Sequence, residues 1–66
     1  MNKEQATIAL KQGNTLIHKS FHSYQWIKDY LGKGTHILRQ DGSIIQVSKF
    51  WDNKITNDWH NGWSIR

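Results

Sequence analysis

The sequence contains no cysteine and no proline among its 66 residues. The missing cysteine excludes disulfides, thiolate metal clusters and a thiol nucleophile. No apolar run approaches the roughly 20 residues of a membrane span. The opening MNKEQATIAL lacks a basic end followed by a long apolar segment, so no secretory signal is expected. These absences lead to the expectation of a cytoplasmic chain with no membrane partner. Acidic residues are few, 5 against 9 Lys and Arg, and the formal charge is +4. The length allows a single small domain, residues 1–66.

Aromatic residues are plentiful by contrast. Trp26, Trp51, Trp59 and Trp63 stand in a chain too short for a large core. Each can cover about 150–250 Å², and their plain reading is core packing. Oligomerisation is the other remedy for so small a domain.

Local signals predict an α+β fold, an N-terminal helix packed on a small antiparallel sheet of three to five strands. The helix is expected over Lys3 to Gln12. Asn2 is the N-cap and Gln5 completes a capping box. Glu4 in the first turn and Lys11 in the last suit the helix dipole. Ala6, Ala9, Leu10 and Gly13 form a stripe of small residues suited to close approach, and Gly13 supplies the left-handed position that ends the helix. Thr15 to His18 reads as a strand and Ser20 to Ser23 as a connection. Tyr24 to Leu31 alternates and is aromatic, which favours a second strand, broken by Gly32 and Gly34. Thr35–Gln40 and Ser43–Val47 read as a hairpin closed by the two-residue turn Asp41-Gly42. That closure pairs Leu38 with Ile45 and Arg39 with Ile44. It puts His36, Leu38, Ile45 and Val47 on one face, the expected core face. Ser48 is expected to cap a helical turn through Asp52, Asn53 to Asn61 to form a loop holding Trp59, and Gly62 to Ile65 to form a last strand.

Catalytic constellations are thin. His18 and His22 have a spacing that on a helix could present two imidazoles to zinc, but they fall at a strand end without further ligands. The reading is four partly exposed histidines and no metal. No Gly-x-Ser-x-Gly elbow holds a serine, and no two acids suggest a catalytic pair. The chain is read as a non-enzyme without cofactor. Gly32-Lys33-Gly34 lacks the longer phosphate-loop pattern and reads as a turn.

Cations interleaved with rings form the one functional constellation. Lys19, Lys28, Lys33, Arg39, Lys49, Lys54 and Arg66 are spread along the chain, yet Lys19-Ser20-Phe21, Tyr24-Gln25-Trp26-Ile27-Lys28 and Lys49-Phe50-Trp51 combine charge with a flat face. A ring stacks on a nucleobase for about 1–3 kcal/mol while a cation meets its phosphate. Nucleic acid ranks last among the partners, because no basic stripe is evident.

The series Ala9-Leu10-Lys11-Gln12-Gly13-Asn14-Thr15-Leu16-Ile17-His18-Lys19-Ser20-Phe21 resembles the opening of small proteins encoded by bacteriophages and prophages. Asp41-Gly42, Phe50-Trp51 and Gly62-Trp63-Ser64-Ile65 are similar to later features of the same group. One branch is the phage anti-Thoeris sponge family, whose members bind nucleotide-derived immune signals and withhold them from the host effector. Members are longer and usually carry Arg and Trp where this chain has Lys19 and Phe21. The resemblance implies a counter-defence protein in the host bacterial cytoplasm, with Lys19, Phe21 and Trp26 near a pocket in an oligomer. The leading expectation is a sponge for a small anionic nucleotide. Trp26 and Phe21 would stack on the base, and Lys19, Lys28 and Arg39 would neutralise phosphate. The alternative is an inhibitor or adaptor that grips a host protein through Trp26, Trp51 and Lys49, since Trp and cations dominate interface hot spots.

Overall fold

The computed structural model describes residues 1–66. The first helix, α1 (Lys3–Lys11), begins as its sequence requires. Asn2 Oδ1 accepts from the Gln5 amide at 2.8 Å, and the Asn2 amide donates to Gln5 Oε1 at 3.0 Å. At the other end Gly13 takes φ 91°. Its amide donates to Leu10 O and the Asn14 amide to Ala9 O, which satisfies two terminal carbonyls. Ala6, Ala9 and Leu10 are buried. Gly13 is exposed and so lies outside the buried stripe expected to include it.

Five short strands follow in one antiparallel sheet of order β4-β3-β2-β1-β5. They are β1 (Leu16–His18), β2 (Ile27–Asp29), β3 (His36–Arg39), β4 (Ile44–Gln46) and β5 (Trp63–Ile65). The last strand returns to pair with the first, setting Trp63 opposite His18 and Ile65 opposite Leu16. A second helix, α2 (Val47–Asp52), follows β4 directly. α1 contacts β5, β1 and β2, and α2 contacts β4 and β3, so both helices roof one face. Under them lie Leu16, Ile27, Ile37, Phe50 and Trp63 with the small residues of α1. No helix is long and apolar enough to cross a membrane.

The hairpin differs from expectation by one residue. The Arg39 amide donates to Ser43 O and the Gly42 amide to Arg39 O, each at 2.9 Å. The loop is therefore Gln40-Asp41-Gly42, with only Gly42 in the left-handed region at φ 87°. Leu38 pairs with Ile44 and Ile37 with Ile45, in place of Leu38 with Ile45. A one-residue change in register regroups every side chain by face. Ile37, 1% exposed, enters the core, and Leu38 is turned to the other side.

Other boundaries shift for local reasons. Of the stretch Tyr24 to Leu31, only Ile27–Asp29 is strand. A turn closed by Gln25 N donating to His22 O precedes it, and Leu31 at φ 62° ends it. Val47 belongs to α2, whose N-cap is Gln46, so Ser48 is not the cap. The expected loop from Asn53 to Asn61 contains a 3-10 helix, Asn57–Trp59. Of the tryptophans only Trp63 is fully buried, and Trp26, Trp51 and Trp59 are half-buried.

Candidate cation–aromatic groove

The pairing of β5 with β1 creates a nest of rings. Trp63 has the ring centroids of His18 at 4.6 Å, Trp51 at 5.5 Å, Phe21 at 5.7 Å, Trp59 at 6.0 Å and Phe50 at 6.3 Å. Its indole N–H donates to Trp59 O at 3.0 Å. His18 is buried at its centre, contrary to the expectation of four partly exposed histidines. The Ser20 amide donates to His18 Nδ1 at 3.0 Å. The other nitrogen, Nε2, must then carry the hydrogen, and it donates to Asp58 O at 3.0 Å and Asn61 O at 2.7 Å. This neutral imidazole pins the 3-10 segment over β1. His22 instead stacks on Tyr24 at 5.6 Å in an exposed turn. No three His, Asp or Glu side chains gather as a metal site would require.

A groove opens where this nest meets the start of α1. Past α2 the chain turns back and Lys54 lies over two rings. Its ammonium is 4.0 Å from the Phe50 centroid and 5.1 Å from that of Trp59, and it donates to Phe50 O at 3.3 Å. Partial burial, and secondarily the positive charge of Arg39, lowers the Lys54 ammonium below its usual 10.5. From the opposite side Lys3 places its ammonium 4.9 Å from the Trp51 centroid. The Lys3 amide donates to His60 O at 2.9 Å, which ties the helix start to the 3-10 exit. Between them is a cleft of about 180 Å³ lined by Lys3, Trp51, Lys54, Ile55, Trp59 and His60, none of them acidic. Lys3 and His60 also line a wider groove of about 590 Å³ with Asn2, Glu4, Thr7 and Ile8.

The residues singled out from the sequence are divided among several places. Trp26 and Lys28 lie on the face of the sheet away from the helices. Arg39 shares the helix side with Ile27, where its Nε donates to Ser43 Oγ at 2.8 Å. Phe21 sits half-buried in the ring nest. Lys19 drapes its aliphatic stem over Gly62, where a Cβ would lie 2.8 Å from its Cδ. Of the alternative set, Trp51 lines the groove, Lys49 is exposed on α2 and Trp26 is on the opposite face. Lys3 and His60 were not anticipated, Lys54 was named only among the scattered cations, and Trp59 only as a ring held in a loop. For Lys54 a signal existed, the Phe50-to-Lys54 spacing that sets a cation over a ring one helical turn back. Nothing local points to Lys3, which reaches the groove through the tertiary fold.

Comparison with protein-family models, with curated proteins and with solved structures found no match.

Proposed function

We propose that the chain acts by binding, without catalysis, and that its ligand is a small nucleotide-type anion received by the Trp51–Trp59 groove. The observation that supports this is the meeting of two ammonium groups and two indoles at one water-reachable cleft lined by no carboxylate. The cleft suits one flat ring, and the ammonium groups of Lys3 and Lys54 on its lining meet a phosphate there, away from Glu4, which lines only the wider groove. Trp51 or Trp59 stacks on the base, and Lys3 and Lys54 neutralise the charge. In the setting implied by the resemblance to phage proteins, the ligand is a host immune signal and its retention is counter-defence. Calorimetry with a panel of cyclic and ADP-ribose-type nucleotides tests this. A saturable heat is expected, with affinity falling about tenfold or more in Trp51→Ala. Absence of heat across the panel at millimolar ligand overturns it.

A second reading, inhibition of a host protein, draws on Ile8 and Ile55, which flank the same grooves at 56% and 82% exposure. Apolar flanks around a tryptophan are the composition of an interface anchor. That reading expects capture of one host protein to be lost in both Trp51→Ala and Ile55→Asp. Capture that survives both removes it.

A further inference from the structure

The opposite side of the sheet carries a second, independent surface. No residue on it is fully buried, and no helix covers it. The ladder register aligns Lys28 with Leu38 and Ile44, and Ile17 with Ser64. The sheet continues past β2 through the Tyr30 amide, which donates to His36 O at 2.9 Å. Trp26, Lys28 and Tyr30 therefore alternate outward along the central strand and its extensions, a ring, a cation and a ring. The two rings are spaced by four residues, about 13 Å in an extended chain.

Trp26 is half-buried yet takes no part in the core beneath the helices, and the Arg66 guanidinium carbon lies 5.9 Å from its centroid. Tyr30 lines a groove of about 380 Å³ that also takes in Lys33, His36 and Ile44. Lys28, Lys33 and Arg66 thus surround an aromatic path. None of the five acidic side chains is on this face. Glu4 is on α1 and Asp52 on α2, Asp58 is in the 3-10 helix, and Asp41 is in the hairpin loop. Asp29 is opposite Ile37 on the helix side, where it accepts from the Gly34 amide at 3.1 Å.

We infer that this uncovered face is a platform for a short stretch of single-stranded nucleic acid, with bases on Trp26 and Tyr30 and phosphates at Lys28, Lys33 and Arg66. Unstacked bases are recognised on open sheets by aromatic side chains, with cations tracking the backbone. A second copy of the chain fits less well, because face-to-face packing would oppose like charges. An acidic protein would meet the same cations and pack on the rings, but a cation with a flat ring on either side matches the alternation of base and phosphate along a strand more closely.

The test uses the full chain and a labelled oligothymidylate of about 12 nucleotides. Anisotropy should rise saturably at about 20 mM salt, and log affinity should fall against log salt with a slope near −2, about −0.7 for each of three phosphate contacts. Lys28→Gln should flatten that slope by about 0.7, and Trp26→Ala should weaken binding about 5- to 150-fold. Lys11→Gln, which removes an exposed cation of α1 on the helix side, should leave oligonucleotide affinity unchanged, which separates this face from the opposite one. The inference is overturned by no anisotropy change at low salt, or by unaltered binding in both Lys28→Gln and Trp26→Ala. It is also overturned if poly-L-glutamate competes as well as unlabelled oligothymidylate, an outcome that assigns the face to acidic proteins.

Discussion

His18 and Lys54 show how single side chains hold the groove in shape. The His18 imidazole is saturated by one amide donor and two carbonyl acceptors inside a nest of rings. Replacement by phenylalanine keeps much of the volume but leaves the Ser20 amide and the Asp58 and Asn61 carbonyls without that partner. These partners belong to exposed residues, so each lost bond is worth about 1 kcal/mol net and not the larger penalty of a buried orphan. His18→Phe should therefore lose about 3 kcal/mol of stability in urea denaturation. A change under about 0.5 kcal/mol would mean that the 3-10 segment is held by other contacts. Lys54 behaves oppositely. Its folded-state ammonium titrates below 10.5 because burial disfavours the charge. The unfolded chain then binds more protons between the folded value and 10.5, so stability rises with pH through that window. Lys54→Met should remove this rise, and urea midpoints of the two proteins measured from neutral pH to above 10.5 should converge at the alkaline end.

At the scale of elements, α1 was legible because all its determinants are local. Asn2, Gln5 and Gly13 each act within one turn, and the structure shows the bonds they imply. The hairpin was legible as a hairpin but not in register. Asp-Gly serves a two-residue loop and the last two positions of a three-residue loop equally well. Which one forms is settled by whether Ile37 or Leu38 reaches Phe50 and Ile27 in the core, a contact between distant residues. The candidate site was legible in kind, rings with cations, and not in membership, because Lys3 and Lys54 meet only when α1 and the 3-10 segment close on each other. The loop itself gives two checks. Gly42 stands at φ 87° with open space around it, so Gly42→Ala pays only backbone strain, about 1–2 kcal/mol. The Ser43 hydroxyl, and then its amide, hold the Asp41 carboxyl below its ordinary 3.8. That stabilisation is present above 3.8 and disappears as pH falls through the lower folded value. In Asp41→Asn the acid part of the stability profile should be flatter, and an unchanged profile would show that the loop bonds contribute nothing.

For the whole molecule the decisive feature is that its core is one-sided. Only 9 of 66 residues are buried, and every apolar one belongs to the layer between the helices and the sheet. A chain of this length has about 3–10 kcal/mol of stability in total. Truncating a buried tryptophan removes about 3–5 kcal/mol. Trp63, 2% exposed and surrounded by five rings, also fastens the 3-10 segment through its indole N–H, which donates to Trp59 O at 3.0 Å. Trp63→Ala should accordingly leave little folded protein at 25 °C, seen as loss of the cooperative urea transition. Trp26→Ala removes a ring of the same size from the outer face, where no core contact is broken, and should shift stability by about 1 kcal/mol or less. The pair measures what each face is for. If the two variants were destabilised alike, the outer ring would be structural and the surface around it would have no ring free for a ligand. If they separate as expected, Trp26 is a large apolar side chain left half in water without being needed for the fold, and its place beside Arg66 and Lys28 is then accounted for by recognition.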